Sequence, residues 1–481
     1  MSLGLAAAAC HDAAPRQAVI ADESTGTDAG IEASDADADG TSIDASSTST
    51  GAGPGSGEGS SDTGDTGEPE APPWAFYPAS RVHSPITAPV AAALRARVDA
   101  SEAAQDVFMK VGASSDVNQN NLHCFAGDGI VWGSHAQLQD AWSFFLGGDA
   151  AGSSPFDRDS LATEVGRTAA WAITGDPSPL QLEIDALAPS LAFVHYGTND
   201  MNLGVTPLTA LPGFYGALMD LLDRAEAAGV IPVLVGLTRR GDDPDADRFI
   251  ALYNAVLRGV AQARQIPFVD AHLAIDGLPG HGLGADGLHL EPDPRGACVL
   301  DDAGLGHGYN VRNLVQLEAL ARVFDVVQEQ VEGLDAPTDE IAPPLGDGLA
   351  ASPIVIEPAR LPFADARDTL RDGAAVIDGY PGCGSADESG PELVYALAPA
   401  VDTAVRIVVL DGVGTDVDVH VLGDELDPAG CVARDDTAIA TTLSEPVRIV
   451  VDSWSDGTSV FGGAYLLVVV PCDDGDPDCA G

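Results

Sequence analysis

An apolar run from Phe108 to Val111 stops at Gly112 and passes through Ala113 to Ser114, which leaves a serine hydroxyl at the tip of a small-residue turn. Glycine permits the bend, and a helix beginning there would offer unpaired backbone N–H groups to a developing negative charge. A serine attacks a carbonyl only when a base takes its proton. His289 is the candidate base. Asp286 lies three residues upstream, close enough to hold one imidazole nitrogen while the other faces the serine. The oxyanion of such a reaction needs donors, and the Ser114 N–H, the Gly166 N–H and the Asn199 side-chain amide are the candidates. Ser114 is preferred over Ser115 because successive side chains at a strand end point to opposite sides. Ser115, just before Asp116, is expected to cap or support the next helix. This chemistry is acyl transfer from an ester, and it calls for no cofactor.

Such residues must be delivered to one place by a scaffold. Leu191–Gly197 and Val230–Leu237 read as strands apolar on both faces, and Ile266–Ala271 as a further strand. Helical periodicity is expected at 89–104, 135–146, 213–228, 245–264 and 311–330. Alternating strands and helices predict an α/β domain whose parallel sheet is covered on both faces, with the site at the carboxyl edge of the strands. Residues 116–160 form an insertion expected to wall one side of the site. Proline, glycine and acidic residues mark a linker at 336–353, and residues 354–481 carry short β-branched runs between turns, the pattern of an all-β sandwich. Every candidate catalytic residue precedes the linker, so the chemistry is expected to survive deletion of residues 345–481.

In chain order, Gly112-x-Ser114, Gly166, Gly197-Thr198-Asn199-Asp200 and Asp286-x-x-His289 resemble the SGNH (GDSL-type) hydrolase superfamily over roughly residues 74–335. The resemblance implies a three-layer α/β/α, flavodoxin-like fold and a serine esterase with a Ser-His-Asp triad. Ala113 departs from the pattern, standing where the family usually has a turn-supporting aspartate, and a catalytically inactive surface binding protein on the same scaffold is the alternative. Asp378-Gly379-Tyr380-Pro381-Gly382-Cys383, Glu388 to Tyr395 and Asp416-Val417-Asp418-Val419-His420 are similar to bacterial pre-peptidase C-terminal domains, small β-sandwiches attached to secreted enzymes. Their Asp-rich loops read as solvated turns, with a calcium site as the alternative because oxygen ligands abound without a defined ligand spacing, and His420, alternating with valines, reads as structural.

With 74 acidic residues against 22 basic and a formal charge of -52, nucleic acid is an unsuitable partner. An ester-bearing small molecule, lipid or polysaccharide is the expected substrate; oligomeric state is left open. The first 73 residues comprise a start resembling a bacterial lipoprotein export signal, with Cys10 as the lipidation candidate, and an acidic Ser/Gly/Asp-rich tether too polar to bury a core. An exported protein, anchored in the cell envelope or extracellular, is expected. The seven cysteines lack the tight CxxC pairs of a zinc site. Setting Cys10 aside, the six others leave fifteen connectivities open. Closure within one domain favours Cys383 with Cys431 and Cys472 with Cys479, and elimination leaves Cys124 with Cys298.

Overall fold

The computed structural model describes residues 74–384, 386–473 and 476–479. The acidic tether and Cys10 lie outside the described residues, which fall in one compact unit.

Helix α1 (Ala88–Asp99) starts with Pro89 in its first turn and buries Val90, Leu94 and Val98. Strand β1 (Ala104–Gly112) follows, and α2 (Ser114–Val117) begins one residue beyond Ala113. After α3 (Gln139–Leu146), α4 (Ala169–Ala172) and α5 (Pro179–Leu187) comes β2 (Pro189–His195), buried along its whole length. Next are α6 (Pro207–Ala227), β3 (Ile231–Val235), α7 (Pro244–Asp247), α8 (Ile250–Arg264) and β4 (Phe268–Val269). Helices α9 (Ala271–Ile275) and α10 (Gly308–Val327) complete this half. The four strands form one parallel sheet in the order β1-β2-β3-β4.

Register is what positions the site. Gly112 on β1 sits opposite His195 on β2, so both strands end at the same edge and deliver Ser114 and Asn199 to neighbouring loops. On the other side of β1 a single parallel bridge, Gly112 with Thr163, brings the Gly166 segment to that edge.

Several elements differ from their sequence outlines. Helix α6 starts at Pro207, where the Thr206 side chain caps it, and it accommodates Pro212 inside. The helix expected over 245–264 is two helices, because the Asp243 carboxylate caps the short α7 first. The strand expected over 266–271 pairs at only two residues.

The second half is two sheets. Strands β5 (Ile354–Ile356), β7 (Glu392–Leu397), β9 (Val417–Gly423), β10 (Cys431–Asp435) and β12 (Val447–Ser453) pair in the order β10-β9-β12-β7-β5. Strands β6 (Phe363–Asp368), β8 (Thr403–Asp411), β11 (Ala438–Leu443) and β13 (Ala464–Pro471) pair as β11-β8-β13-β6. Between β6 and β7 lies α11 (Thr369–Asp372). Val405, Ile407 and Val409 of β8 join Val417, Val419 and Val421 of β9 in the core between the sheets. The alternate residues Val408 and Leu410, with Ala364, Leu466 and Val468, belong instead to the core of the α/β half. A sheet apolar on both faces must be covered on both, and α8 is the second cover: a Cβ added at Gly259 would stand 2.7 Å from the Ala364 Cβ. The chain before α1 also links the halves, Phe76 stacking on Phe363 in the sandwich core while Tyr77 enters the other.

Disulfides join Cys124 to Cys298, Cys383 to Cys431 and Cys472 to Cys479.

Candidate active site

Ser114 opens α2 directly after the end of β1, and its Oγ lies 2.8 Å from His289 Nε2. His289 Nδ1 lies 2.7 Å from Asp286 Oδ2, while Asp286 Oδ1 accepts the backbone N–H groups of Leu288 and His289, both at 3.0 Å. One carboxylate therefore shapes the loop with one oxygen and orients the imidazole with the other. The hydrogen bond from His289, then those two backbone donors, hold the Asp286 carboxyl down to about 2. An ionised carboxylate only accepts, so the proton sits on Nδ1 and Nε2 is left to accept from the serine.

Beneath this chain lies a second one that sequence reasoning missed. Asp116, two residues after Ser114 and only 2 % exposed, receives His195 Nδ1 at 2.8 Å and Arg312 Nη2 at 2.6 Å. Burial pushes the Asp116 carboxyl up, but Arg312, His195 and Lys110 outweigh it and hold the group below its ordinary range. Burial and the Arg312 charge lower the His195 imidazole, so it stays neutral. The network braces the turn from below: a Cβ on Gly112 would stand 2.3 Å from Asp116 Oδ2, so the carboxylate occupies the space that glycine leaves. Ala113 brings no carboxylate to the turn, and Asp116 supplies one from two residues beyond Ser114. Ser115 makes no capping bond, the N-cap position being Ala113, and it lines the pocket beside Ser114.

The remaining pocket wall comes from the Gly197–Asp200 loop and the segment after β3. Asp200 ties the loop down, accepting from Gly197 N at 3.0 Å and from Ala169 N at 2.9 Å. Burial raises its carboxyl to about 6 against those two donors. Arg240, 5 % exposed, donates from Nη1 to the Thr198 carbonyl at 3.0 Å and pairs with Asp242. Asn199 Nδ2 donates to the Arg167 carbonyl at 2.9 Å, which leaves its other N–H for a ligand. Arg167, Arg239 and Arg240 all line the pocket of this strongly acidic chain.

Gly166 is exposed and does not join the pocket lining, where its neighbour Arg167 stands. Its φ of +77° is the feature that calls for glycine, since a Cβ there would meet nothing within 4 Å. The insertion over 116–160 is anchored through Cys124–Cys298, and the Asn313 side chain accepts from Leu122 N at 2.9 Å.

Residues 125–293 match the GDSL-like Lipase/Acylhydrolase family. The matched span includes Gly166, Asn199, Asp286 and His289 and begins after Ser114. The GDSL-type resemblance is borne out over those residues, and with it the α/β class of this region; ester hydrolysis is the chemistry of the matched family. No curated protein matches the chain in sequence. Among solved structures, a GDSL-like lipase from Bacteroides thetaiotaomicron is 19% identical, with 33% of this chain and 74% of that chain covered at a TM-score of 0.27. A catalytic mutant of an acetylxylan esterase from Geobacillus stearothermophilus is 13% identical, covering 45% and 95% at 0.29. The second half is similar to the pre-peptidase C-terminal domain of a collagenase from Bacillus anthracis, 16% identical, with 24% of this chain and 91% of that chain covered at 0.17.

Proposed function

We propose that the protein is a serine esterase that hydrolyses an acyl or acetyl ester through Ser114, His289 and Asp286, on a three-layer flavodoxin-like scaffold. The observation that carries this reading is the continuous hydrogen-bond chain from Asp286 through His289 to Ser114, ending at the rim of a pocket. His289 Nε2 takes the Ser114 proton as Oγ attacks the ester carbonyl, and Asp286 stabilises the resulting imidazolium. The Ser114 N–H, first of its helix and without an intrahelical acceptor, and the free Asn199 N–H stabilise the oxyanion, whereas Gly166, outside the pocket lining, does not serve as the third donor. Collapse of the tetrahedral intermediate passes the proton from His289 to the departing alcohol. Water then repeats the sequence on the acyl-serine and releases the acid.

The wider setting belongs to the same proposal. Three disulfides suit an oxidising compartment, so the protein is exported, with Cys10 as its lipid anchor and the residues after the 336–353 linker as an attachment or stability module packed on the α/β half. The substrate is an ester on a small molecule, lipid or polysaccharide.

A fluorophosphonate probe tests the central claim, because it labels only an activated serine. Labelling mapped to the Ser114 peptide, and lost in Ser114→Ala but kept in Ser115→Ala, is the expected result. An unlabelled wild-type protein points to the inactive binding scaffold, and labelling that persists at Ser115 moves the nucleophile by one residue.

A further inference from the structure

The β half holds a second convergence of chemistry-bearing side chains. Glu388 lies in the segment before β7, and Asp418 and His420 stand two residues apart on β9; they are 1 %, 2 % and 0 % exposed. A carboxylate oxygen of Glu388, one of Asp418 and an imidazole nitrogen of His420 all lie within 4.8 Å of one another. Glu388 Oε1 is 4.0 Å from His420 Nε2. None of the three lines the Ser114 pocket.

Their surroundings leave them underused. Arg434 Nη2 reaches Asp418 Oδ2 at 2.5 Å and Glu388 Oε1 at 3.3 Å, so a single guanidinium faces two buried carboxylates. Both Glu388 oxygens, Asp418 Oδ1 and both His420 nitrogens find no hydrogen-bond partner among the described residues. A buried polar group left unpaired is destabilising, and a charged one more so, so packing alone does not favour the four of these atoms that Arg434 does not reach. The imidazole is meanwhile held without using either nitrogen. Tyr380 stacks on it with ring centroids 3.6 Å apart, and the Tyr380 hydroxyl donates to Asp452 Oδ2 at 2.6 Å.

We propose that Glu388, Asp418 and His420 form a site for a divalent transition-metal ion of the zinc type. Two carboxylate oxygens and one neutral imidazole suit such an ion, whereas calcium takes six to eight oxygen ligands. With zinc–ligand distances of about 2.0–2.2 Å, the three groups enclose an ion after a small inward shift. The ion neutralises the charge that Arg434 leaves over and ties the segment before β7 to β9, next to the Cys383–Cys431 bond that ties the same segment to β10. This reassigns His420 from a merely structural strand residue to a ligand.

The test uses the full chain, stripped with EDTA, dialysed, and titrated with Zn²⁺ alone and separately with Ca²⁺. Bound metal is counted by inductively coupled plasma mass spectrometry and affinity is read by calorimetry. One Zn²⁺ per chain is expected at this site, with a raised melting temperature. Binding should weaken by more than about tenfold in both His420→Ala and Glu388→Gln, since even supporting residues around a metal matter at that level. Glu388→Gln is nearly isosteric and decides the matter if His420→Ala does not fold by circular dichroism. A wild-type protein that takes up no zinc overturns the proposal and leaves Glu388 and Asp418 sharing a proton. Unchanged zinc affinity in the folded variants, or a preference for Ca²⁺, overturns it as well.

Discussion

Asn199 spends one amide N–H on the Arg167 carbonyl and keeps the other free, which the proposed mechanism uses to meet the oxyanion. Asn199→Ala should cost about 3 kcal/mol of transition-state stabilisation, seen mainly in kcat on an aryl acetate; unchanged turnover would take Asn199 out of the site. Asp116 lies below Ser114, the proposed nucleophile, and outside the pocket lining. Asp116→Asn leaves Arg312 buried without its carboxylate, and loss of about 3–5 kcal/mol in a urea unfolding curve is expected. The same network sets an acid limb. His195 has a folded value below its ordinary 6.5, so the unfolded chain binds the proton first. Its contribution to stability is complete above pH 6.5 and is lost as pH falls from there through the folded value, at up to about 1.4 kcal/mol per pH unit. A His195→Gln variant, unable to take that proton, should therefore lose less stability than wild type between pH 7.5 and 5; equal slopes for the two would show that His195 is not held neutral.

At the scale of elements, α8 has the most constrained position. It covers the parallel sheet with one side and the β6–β13 pair with the other, and all but three of its residues are buried. Gln262 spans the junction, its Nε2 donating to the Ala364 carbonyl at 3.0 Å, and Arg258 Nη2 donates to the Pro362 carbonyl at 3.0 Å. Backbones approach this closely only because residue 259 is glycine. Gly259→Val should push β6 and β13 away and destabilise by about 1–3 kcal/mol despite the better helix propensity of valine. Chemical denaturation measures this directly, and a variant as stable as wild type would mean that the junction yields freely.

For the molecule as a whole, the two halves differ in class but share a core. Ala364, Val408, Leu410, Leu466 and Val468 bury against the α/β half, and Arg248 of that half pairs with Asp476 near the chain's far end at 3.1 Å. Deletion of residues 345–481 removes no member of the Ser114 chain, yet it bares the outer side of α8 and strands Phe76. The truncated protein is expected to keep some activity on a small soluble ester at low temperature, to melt well below the full chain, and to aggregate on warming. A shortened protein with the melting temperature of the full chain would show the interface to be dispensable.

What was legible in the sequence was local. Strand and helix alternation follows from apolar periodicity within a few residues, and Asp286-x-x-His289 is a pair whose geometry a single loop can set. The small-residue turn at Gly112 to Ser114 announces itself in the same way, and so do the short β-branched runs of the second half. What only the tertiary structure decided is which distant groups meet. Asp116, His195 and Arg312 come from three separate segments, and no spacing rule links a carboxylate to a guanidinium 196 residues away. Helix α8 did carry a trace of its double burial in the unbroken Ala255-Val256-Leu257 and Val260-Ala261, apolar around the whole helix, but composition cannot say that the second cover is a β-sheet. Likewise, Glu388 and Asp418 read as members of solvated acidic loops, and only the packing of β9 against β10 and β12 takes them out of water. Local conformation is set by short-range sterics and periodicity, whereas the pairing of buried charges depends on desolvation by chain segments that no local pattern names.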